Sequence, residues 1–161
     1  GAYVNSRLGA ISLINTETLP PGTNVPQCAV GAQPPGCFNY LPFTENLDGS
    51  QNPFSPEWTF NAGAEYAIPI GDSGSLTPRI NYSYLGTQWT TLFEASQDYL
   101  RSQGLWSGSV TYDHKAWRVQ AYVLNLANKV YVTGQVAAGG NPNNNFFGNP
   151  RQFGVRLSYH F

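Results

Sequence analysis

The stretch from Gly148 to Phe161 most constrains what this chain can fold into, because from Phe153 onward its residue types alternate without a break. Apolar or aromatic residues stand at every second position, and polar or small residues stand between them. A period of two is the pattern of a β-strand whose two faces have different surroundings. The stretch is therefore predicted to be a strand with one charge-free face. That face consists of Phe153, Val155, Leu157, Tyr159 and Phe161.

Five further segments carry strand patterns. The clearest is Glu57–Ile70, in which Trp58, Phe60 and the later even-numbered residues form an apolar face. Short segments of turn-forming residues, such as Gly71–Ser75, join several of these strands, as antiparallel hairpins require. We therefore predict an all-β, antiparallel up-and-down meander of about six strands. The first five are predicted at Tyr3–Leu13, Glu57–Ile70, Leu76 to about Thr91, Leu105–Tyr112 and Trp117 to about Asn125.

The composition narrows the class of β protein. Charged residues make up 11% of the chain, against roughly 25% in typical soluble domains. Aromatic residues reach 14%, yet no apolar run is long enough for a transmembrane helix. These features are typical of a transmembrane β-barrel, whose signal is spread over alternating strands. A secreted β-sandwich has a similar composition and remains an alternative.

The positions of the charges favour the barrel. In the clear strands the charged residues are Glu65, Arg79, Arg118 and Arg156, and all four lie opposite the aromatic face. An Arg or Lys on the lipid face of a barrel costs about 2–4 kcal/mol at the bilayer midplane. We therefore predict that these four side chains face the lumen. The residues predicted to face lipid include Tyr82, Val110, Val119 and Leu157.

Two long connections separate the predicted strands, at about residues 15–55 and 134–150. The first contains seven Pro residues, and the second is rich in Gly and Asn. The other connections are medium or short, and outer-membrane barrels have one rim of long loops and one of short turns. We expect both long segments to be extracellular loops, with the C-terminus on the periplasmic side.

Cys28 and Cys37 lie within the first long connection, in a segment rich in Pro and Gly. Their spacing is not a usual zinc-binding spacing, and His114 and His160 are distant in the sequence. We therefore predict a disulfide that closes a small loop in an oxidising compartment.

Several motifs resemble the TonB-dependent outer-membrane receptors. NLANKVYVTG at Asn125–Gly134 and GNPRQFGVRLSYHF at Gly148–Phe161 resemble the last two strands of that family. Ala127 stands where the family usually has an aromatic residue, and Asn128 stands where Asp is common. The Leu47–Ile70 segment, with its Pro-Glu-Trp sequence, and the segment LTPRINYSY at 76–84 are also similar.

The resemblance implies that this chain is the C-terminal part of a 22-stranded barrel whose plug domain is absent from the sequence. It implies energised uptake of a scarce nutrient, with the TonB complex acting through the plug. Further implied partners are outer-membrane lipid, the remaining strands and the barrel-assembly machinery. The apolar face of the last strand would carry the assembly signal. A chain that begins at Gly1 and contains no Met is likewise expected to be a piece of a longer protein.

No residue pattern indicates catalysis, a resident metal or a cofactor, and the absence of a basic cluster argues against nucleic acid. Glu94 and Asp98 are candidates for a cation site, although solvated loop carboxylates are commoner. The run Asn143–Asn145, with Phe146 and Phe147, is a candidate for ligand contact in the outer mouth of the barrel. The substrate-binding residues cannot be assigned. A passive porin-like channel and a secreted structural or adhesive β-protein remain alternatives.

Overall fold

The computed structural model describes residues 1–29, 36–138 and 141–160. Its regular structure consists of β-strands and four short 3-10 helices, without an α-helix in these ranges. The strands are β1 (Ala2–Tyr3), β2 (Ser12–Ile14), β3 (Thr44–Asn46), β4 (Trp58–Glu65), β5 (Ile68–Pro69), β6 (Ser75–Leu85), β7 (Gln88–Trp89), β8 (Tyr99–Leu100), β9 (Gln103–His114), β10 (Trp117–Leu124), β11 (Val132–Ala138), β12 (Asn141–Phe147) and β13 (Gln152–Tyr159). None of the helices in the described ranges is long and apolar enough to cross a membrane.

The main sheet has the order β1-β4-β6-β9-β10-β13, and β5 adds a second short pairing to β6. Every neighbouring pair is antiparallel, and the order follows the chain. This arrangement confirms the predicted all-β antiparallel meander. Within the described ranges β1 and β13 each pair with a single neighbour in this sheet, so the sheet does not close into a barrel.

Two tight turns form one end of the sheet. A loop of Lys115 and Ala116 joins β9 to β10, and Lys115 has a positive φ of 51°. Gly74 precedes β6 with a φ of 103°, and a Cβ at that position would lie 1.9 Å from the carbonyl oxygen of Asp113. Position 74 therefore requires glycine because of both its backbone angle and its close contact with the neighbouring strand.

The strand predicted at Glu57–Ile70 is divided in two, and Pro78 explains the division. The registers Glu65↔Arg79 and Ile68↔Leu76 keep the same alignment, so Tyr66 lies opposite Pro78. The Tyr66 amide donates to the Pro78 carbonyl oxygen at 3.2 Å. Pro has no amide hydrogen and cannot return the second hydrogen bond of this pair, so the ladder is interrupted there.

We call the opposite end of the sheet the rim. There the strands continue into separate two-stranded ladders. The segment predicted as one strand at 3–13 forms β1, an isolated bridge between Arg7 and Gln51, and β2. β2 pairs with β3, which lies inside the predicted long loop. The strand predicted to reach Thr91 leaves the main sheet after Leu85, and β7 then pairs with β8.

The second long connection differs from the predicted irregular loop because most of it forms the β11–β12 hairpin. Its Gly- and Asn-rich sequence lacks the alternation that identifies a strand exposed to two environments. The register shifts at two places, between Val132 and Gly134 and between Val136 and Ala138. This irregular pairing accounts for the absence of a strand signal in the sequence.

The sheet is a single layer with almost no hydrophobic core. In the described part of the chain the buried hydrophobic residues are Leu47 and Leu100, with 1% and 2% of their surfaces exposed. By contrast Phe153 and Leu157 are 83% and 63% exposed. A β-sandwich would cover such residues with a second sheet. An apolar surface this extensive indicates contact with another apolar phase.

The two faces of the sheet have different side chains, and the strand registers define them. The aromatic face includes Phe60, Tyr82, Trp106, Trp117 and their same-face neighbours. The polar face includes Glu65, Arg79, Ser109 and Gln120.

Aromatic side chains on the aromatic face form two groups. Near the rim the ring centroids of Tyr3 and Trp58 are 4.6 Å apart, and those of Tyr82 and Trp106 are also 4.6 Å apart. Near the tight turns Trp117 and Tyr159 are 4.8 Å apart. Small and aliphatic residues occupy the band between these groups, namely Ala64, Ile80, Gly108, Val110, Ala121 and Val155. Two aromatic girdles around an apolar band are typical of a transmembrane barrel wall.

An Arg substitution at the centre of each face tests this assignment. Val110→Arg, on the aromatic face, is expected to destabilise the fold by about 2–4 kcal/mol because it places a charge in the apolar band. Ser107→Arg, on the polar face of the same strand, is the matched control and is expected to cost less than about 1 kcal/mol. The measurement is urea unfolding of the intact protein in lipid bilayers. Equal losses in the two variants would contradict the face assignment.

Candidate functional site

The four charged residues singled out in the sequence lie on the polar face. Glu65 is directly opposite Arg79, and Arg79 is opposite Ser109 on the next strand. Ser109 is opposite Tyr122, whose strand places Arg118 on the same side. The pairing of Gln120 with Arg156 extends this face to the last strand. The side chains therefore form one polar surface across five strands, from β4 to β13.

Two of the three arginines pair with carboxylates of the same wall. Arg79 Nη1 lies 3.4 Å from Glu65 Oε2, and Arg118 Nε lies 2.6 Å from Asp113 Oδ1. Arg156 instead donates to Gln120 Oε1 at 3.4 Å. Asp113 was not predicted as part of this face because the sequence places it at a turn. Its role depends on the register Arg118↔Asp113.

Aromatic side chains cover glycines within the sheet. A Cβ at Gly154 would lie 2.7 Å from the hydroxyl of Tyr122, which is directly opposite it in the ladder. On the aromatic face the Tyr82 ring occupies the same kind of position over Gly104. An aromatic ring over a strand glycine restores the packing that the missing side chain would otherwise provide.

The two C-terminal sequence motifs are joined by side-chain amides. Asn125 is 7% exposed with a φ of 49°, and its Oδ1 accepts from the Lys129 amide at 2.9 Å. Its Nδ2 donates to the carbonyl oxygens of Lys129 and Asn149 at 2.8 and 3.1 Å. Asn128 Oδ1 accepts from the Arg151 amide at 3.0 Å. These bonds connect the end of β10 to the segment that begins β13.

The predicted disulfide between Cys28 and Cys37 is present, with the Cα atoms 4.8 Å apart. It closes a loop at the rim. The loop is also closed by the Cys28 amide, which donates to the Phe38 carbonyl oxygen at 3.0 Å. The Phe38 amide in turn donates to the Pro26 carbonyl oxygen at 2.9 Å. The disulfide therefore reinforces a backbone pairing that already brings the two ends together.

Three aromatic residues follow the disulfide. The Phe38 ring lies 4.9 Å from Tyr40 and 5.6 Å from Phe43, measured between centroids. The Tyr40 hydroxyl donates to the Val25 carbonyl oxygen at 2.8 Å. This cluster was not singled out in the sequence because its residues do not follow a regular period.

Glu94 and Asp98, the candidate cation ligands, have separate hydrogen-bond partners. Glu94 Oε1 accepts from the Gln51 amide at 2.5 Å, whereas Asp98 Oδ2 accepts from the Thr91 hydroxyl at 2.7 Å. Within residues 1–29, 36–138 and 141–160 no group of three His, Cys, Asp or Glu residues is arranged to hold a metal ion. Glu94 therefore joins its loop to the segment of Gln51, whereas the hydrogen bond from Thr91 holds Asp98 within its own loop.

The two histidines take different positions. His114 falls between the predicted strands Leu105–Tyr112 and Trp117 to about Asn125, but it is the last residue of β9 and its ring lies parallel to the Tyr112 ring at a centroid distance of 6.3 Å. Its position reflects the tightness of the turn, which leaves only two residues outside the ladder. The His160 amide donates to the Ala116 carbonyl oxygen at 2.9 Å, so the end of the chain lies beside that turn.

The candidate ligand residues of the second connection belong to β12. Phe146 and Phe147 are more than half exposed and lie opposite Gly134 and Val132. Asn143, Asn144 and Asn145 precede them in the same strand. The hairpin therefore presents exposed aromatic rings beside the exposed amides of Asn144 and Asn145 at the rim.

Comparisons with known proteins identify the relatives of this chain. A family model described as "TonB dependent receptor-like, beta-barrel" matches residues 33–126, which is more than half of the chain. A search of curated protein sequences finds no match.

Two solved structures share the fold. The ferric yersiniabactin uptake receptor FyuA from Yersinia pestis superposes with a TM-score of 0.65 and 18% identity, over 73% of this chain and 19% of that one. BauA, the ferric preacinetobactin receptor from Acinetobacter baumannii, gives a TM-score of 0.57 and 24% identity, over 70% of this chain and 16% of that one. The chain thus spans less than a fifth of either structure.

The side-chain clamp at Asn125 provides a direct test of the motif that links β10 to β13. Asn125→Ala is expected to destabilise the intact protein by about 2–4 kcal/mol, because it removes three hydrogen bonds and leaves Ala in a left-handed conformation. Asn144→Ala, at an exposed position of β12, is the control and is expected to change stability by less than about 0.5 kcal/mol. Urea unfolding in detergent measures both. Similar values for the two variants would show that the clamp contributes nothing.

Proposed function

Because this chain belongs to the TonB-dependent receptor-like β-barrel family, we propose that it forms part of the wall and outer rim of an energised outer-membrane uptake receptor. The observation that carries the proposal is the family match over residues 33–126. The open six-strand path of the main sheet agrees with it, since both edges need further strands to pair with. A 22-stranded barrel would supply those strands.

The rest of the receptor supplies the other partners in this proposal. A plug domain would fill the lumen and transmit the action of the TonB complex. The aromatic face contacts lipid, and the polar face, with Glu65, Arg79, Arg118 and Arg156, faces the plug. This orientation is supported by the girdle arrangement on one face and the ion pairs on the other.

The proposed orientation in the membrane follows from the two unlike ends of the sheet. The tight turn at Lys115 and Ala116 lies beside the C-terminal end, to which it is joined by the His160 amide. The disulfide loop and the β11–β12 hairpin occupy the opposite end. Outer-membrane barrels carry short turns on the periplasmic side and longer loops outside. The rim is therefore extracellular and the C-terminus periplasmic.

The proposed cargo is a ferric chelate of the siderophore class. This choice is supported by the two structural neighbours, which are receptors for ferric yersiniabactin and ferric preacinetobactin. The rim also carries the aromatic cluster of Phe38, Tyr40 and Phe43 and the exposed rings of Phe146 and Phe147. Such rings can stack on the flat aromatic groups common in iron chelators. The chain is a transport component with no catalytic step.

The proposed assembly signal is the apolar face of β13. It is supported by the exposure of Phe153, Val155, Leu157 and Tyr159 on one side of the edge strand. Phe161, the fifth residue of the predicted signal, lies outside the described residues. Among the described residues β13 pairs with β10 on one side, and its other edge is where the remainder of a barrel would attach.

The uptake proposal is tested in a strain that lacks its own iron receptors and expresses the intact receptor containing this chain. Growth under iron limitation is expected with at least one ferric siderophore, and it is expected to stop when TonB is deleted. The double variant Cys28→Ser, Cys37→Ser is expected to reduce cargo binding, because opening the loop increases the entropy lost on binding.

One control accompanies this experiment, and two outcomes would contradict parts of the proposal. Folded receptor in the outer membrane is quantified for each variant, so that a loss of binding is separated from a loss of assembly. Growth that continues without TonB would contradict energised uptake and favour the passive-channel alternative. TonB-dependent uptake of a different nutrient would contradict the proposed cargo alone.

A further inference from the structure

A groove with a volume of 420 Å³ lies at the rim, between the connection from β8 to β9 and the segment that leads into β11. Its walls include Tyr99 and Arg101 on one side and Lys129 and Tyr131 on the other. β8 and β11 lie close together at its two sides. Small-molecule sites in proteins have volumes of roughly 300–1,000 Å³. The groove is therefore large enough to hold a small solute.

The groove opens on the polar face of the sheet. Gln103 lines it, and the alternation along β9 places this side chain on the same face as Ser107 and Ser109. Tyr131 also lines a second hollow, whose other walls include Ser107 and Gln152. In the orientation proposed above, this face lines the lumen. Solutes rather than lipid would therefore reach the groove.

Two cations of the groove have no acidic partner. Arg101 and Lys129 are exposed and both line the groove. The ion pairs of the described residues use Arg7, Arg79 and Arg118, so neither groove cation is paired with a carboxylate there. Like charges repel each other, and an anion bound between them would remove this repulsion. Arg offers a planar fork of donors to an oxyanion, and Lys offers a compact charge.

Both sides of the groove are held in place by the surrounding structure. The buried Asn125 side chain accepts from the Lys129 amide at 2.9 Å and donates to the Lys129 carbonyl oxygen at 2.8 Å. On the other side the Tyr99 ring contacts Trp89, with the centroids 5.0 Å apart. A site whose backbone is already fixed loses less entropy when a ligand binds. The groove is therefore preorganised.

A side-chain amide adds a further polar group to the groove. Gln135, on β11, lines it, and Gln135 Oε1 is buried and accepts from no donor among the described residues. A buried acceptor without a donor is unfavourable. A rotation of the amide towards the groove would let Oε1 accept from a ligand hydroxyl. The groove thus offers two cations for an oxyanion and one acceptor for a hydroxyl.

We propose that Arg101, Lys129 and Gln135 form a binding site for a hydroxylated organic acid. Its carboxylates pair with the two cations, and its hydroxyl donates to Gln135. This inference rests on the proposed uptake function for the role of the site, which is to select cargo that carries such acid groups. An acidic segment of the plug would offer the same carboxylates. The volume of the groove and its Tyr99 and Tyr131 walls favour a solute.

The test measures the binding of citrate, a hydroxylated tricarboxylate, to the purified intact receptor by titration calorimetry. Saturable binding that weakens with added salt is expected, because the cations are exposed. Arg101→Gln and Lys129→Gln are each expected to weaken binding about tenfold or more, since each removes a charge-assisted contact. Lys129→Arg keeps the charge and is expected to retain most of the affinity. Lys115→Gln, an exposed cation at the tight turn, is the control and should leave the affinity unchanged.

A wild-type receptor without saturable citrate binding would overturn the proposal, and so would equal affinities of the wild type and the two Gln variants. Tricarballylate, which has the carboxylates of citrate without the hydroxyl, is expected to bind several-fold more weakly. Equal affinities for the two acids would overturn the role of Gln135. Reduced hydrogen-exchange protection of the plug in Lys129→Gln, with citrate affinity unchanged, would overturn the site in favour of a plug contact.

The citrate measurement is independent of the growth experiment, because it uses purified receptor and needs no TonB. Loss of the citrate site would therefore leave energised uptake standing. Growth that continues without TonB would contradict energised uptake and leave the binding result in place.

Discussion

The antiparallel backbone ladder is the constraint on which the rest of this structure depends. Six strands in chain order form one layer, and the described residues contain almost no buried hydrophobic side chains. The fold is therefore maintained by interstrand hydrogen bonds, cross-strand side-chain pairs and the apolar phase outside it. A ladder with two open edges leaves backbone groups unpaired, and in hydrocarbon each such group costs several kcal/mol. This is the physical reason that the chain requires the remaining strands of a barrel.

The same ladder separates the chemistry of the two faces. Because successive side chains point to opposite sides, the register that pairs Tyr82 with Trp106 also pairs Arg79 with Ser109. A shift of one residue would exchange the faces and place Arg79 in the apolar band. Glu65–Arg79 and Asp113–Arg118 neutralise charge within the wall. Surface ion pairs contribute little stability, so we propose that they serve to match the charges of a lumen-facing surface rather than to stabilise the fold.

The rim has a different construction, since loops there cannot rely on a continuous ladder. Side-chain amides, the Cys28–Cys37 disulfide and buried Asp98 hold the connections in position. Each of these rim contacts requires one particular geometry. The main sheet instead requires only that apolar and polar side chains continue to alternate along its strands. Because a few directed contacts hold the rim, it can rearrange locally while the wall stays intact, which would suit the proposed uptake of cargo.

The sequence by itself determined most strands of the main sheet, the alternation of their faces, the disulfide and the family, because these depend on local periods and short motifs. Alternation between Phe153 and Tyr159 identifies a two-faced strand without knowledge of its neighbours. Tertiary structure decided the pairing of Asp113 with Arg118, the contact of Glu17 with Gln97, and the hairpin formed by Val132–Phe147. The first depends on the turn length, and the second joins residues from separate connections. The hairpin pairs Gly- and Asn-rich segments that have no alternation of their own. Such features follow from register and long-range packing, which no local pattern contains.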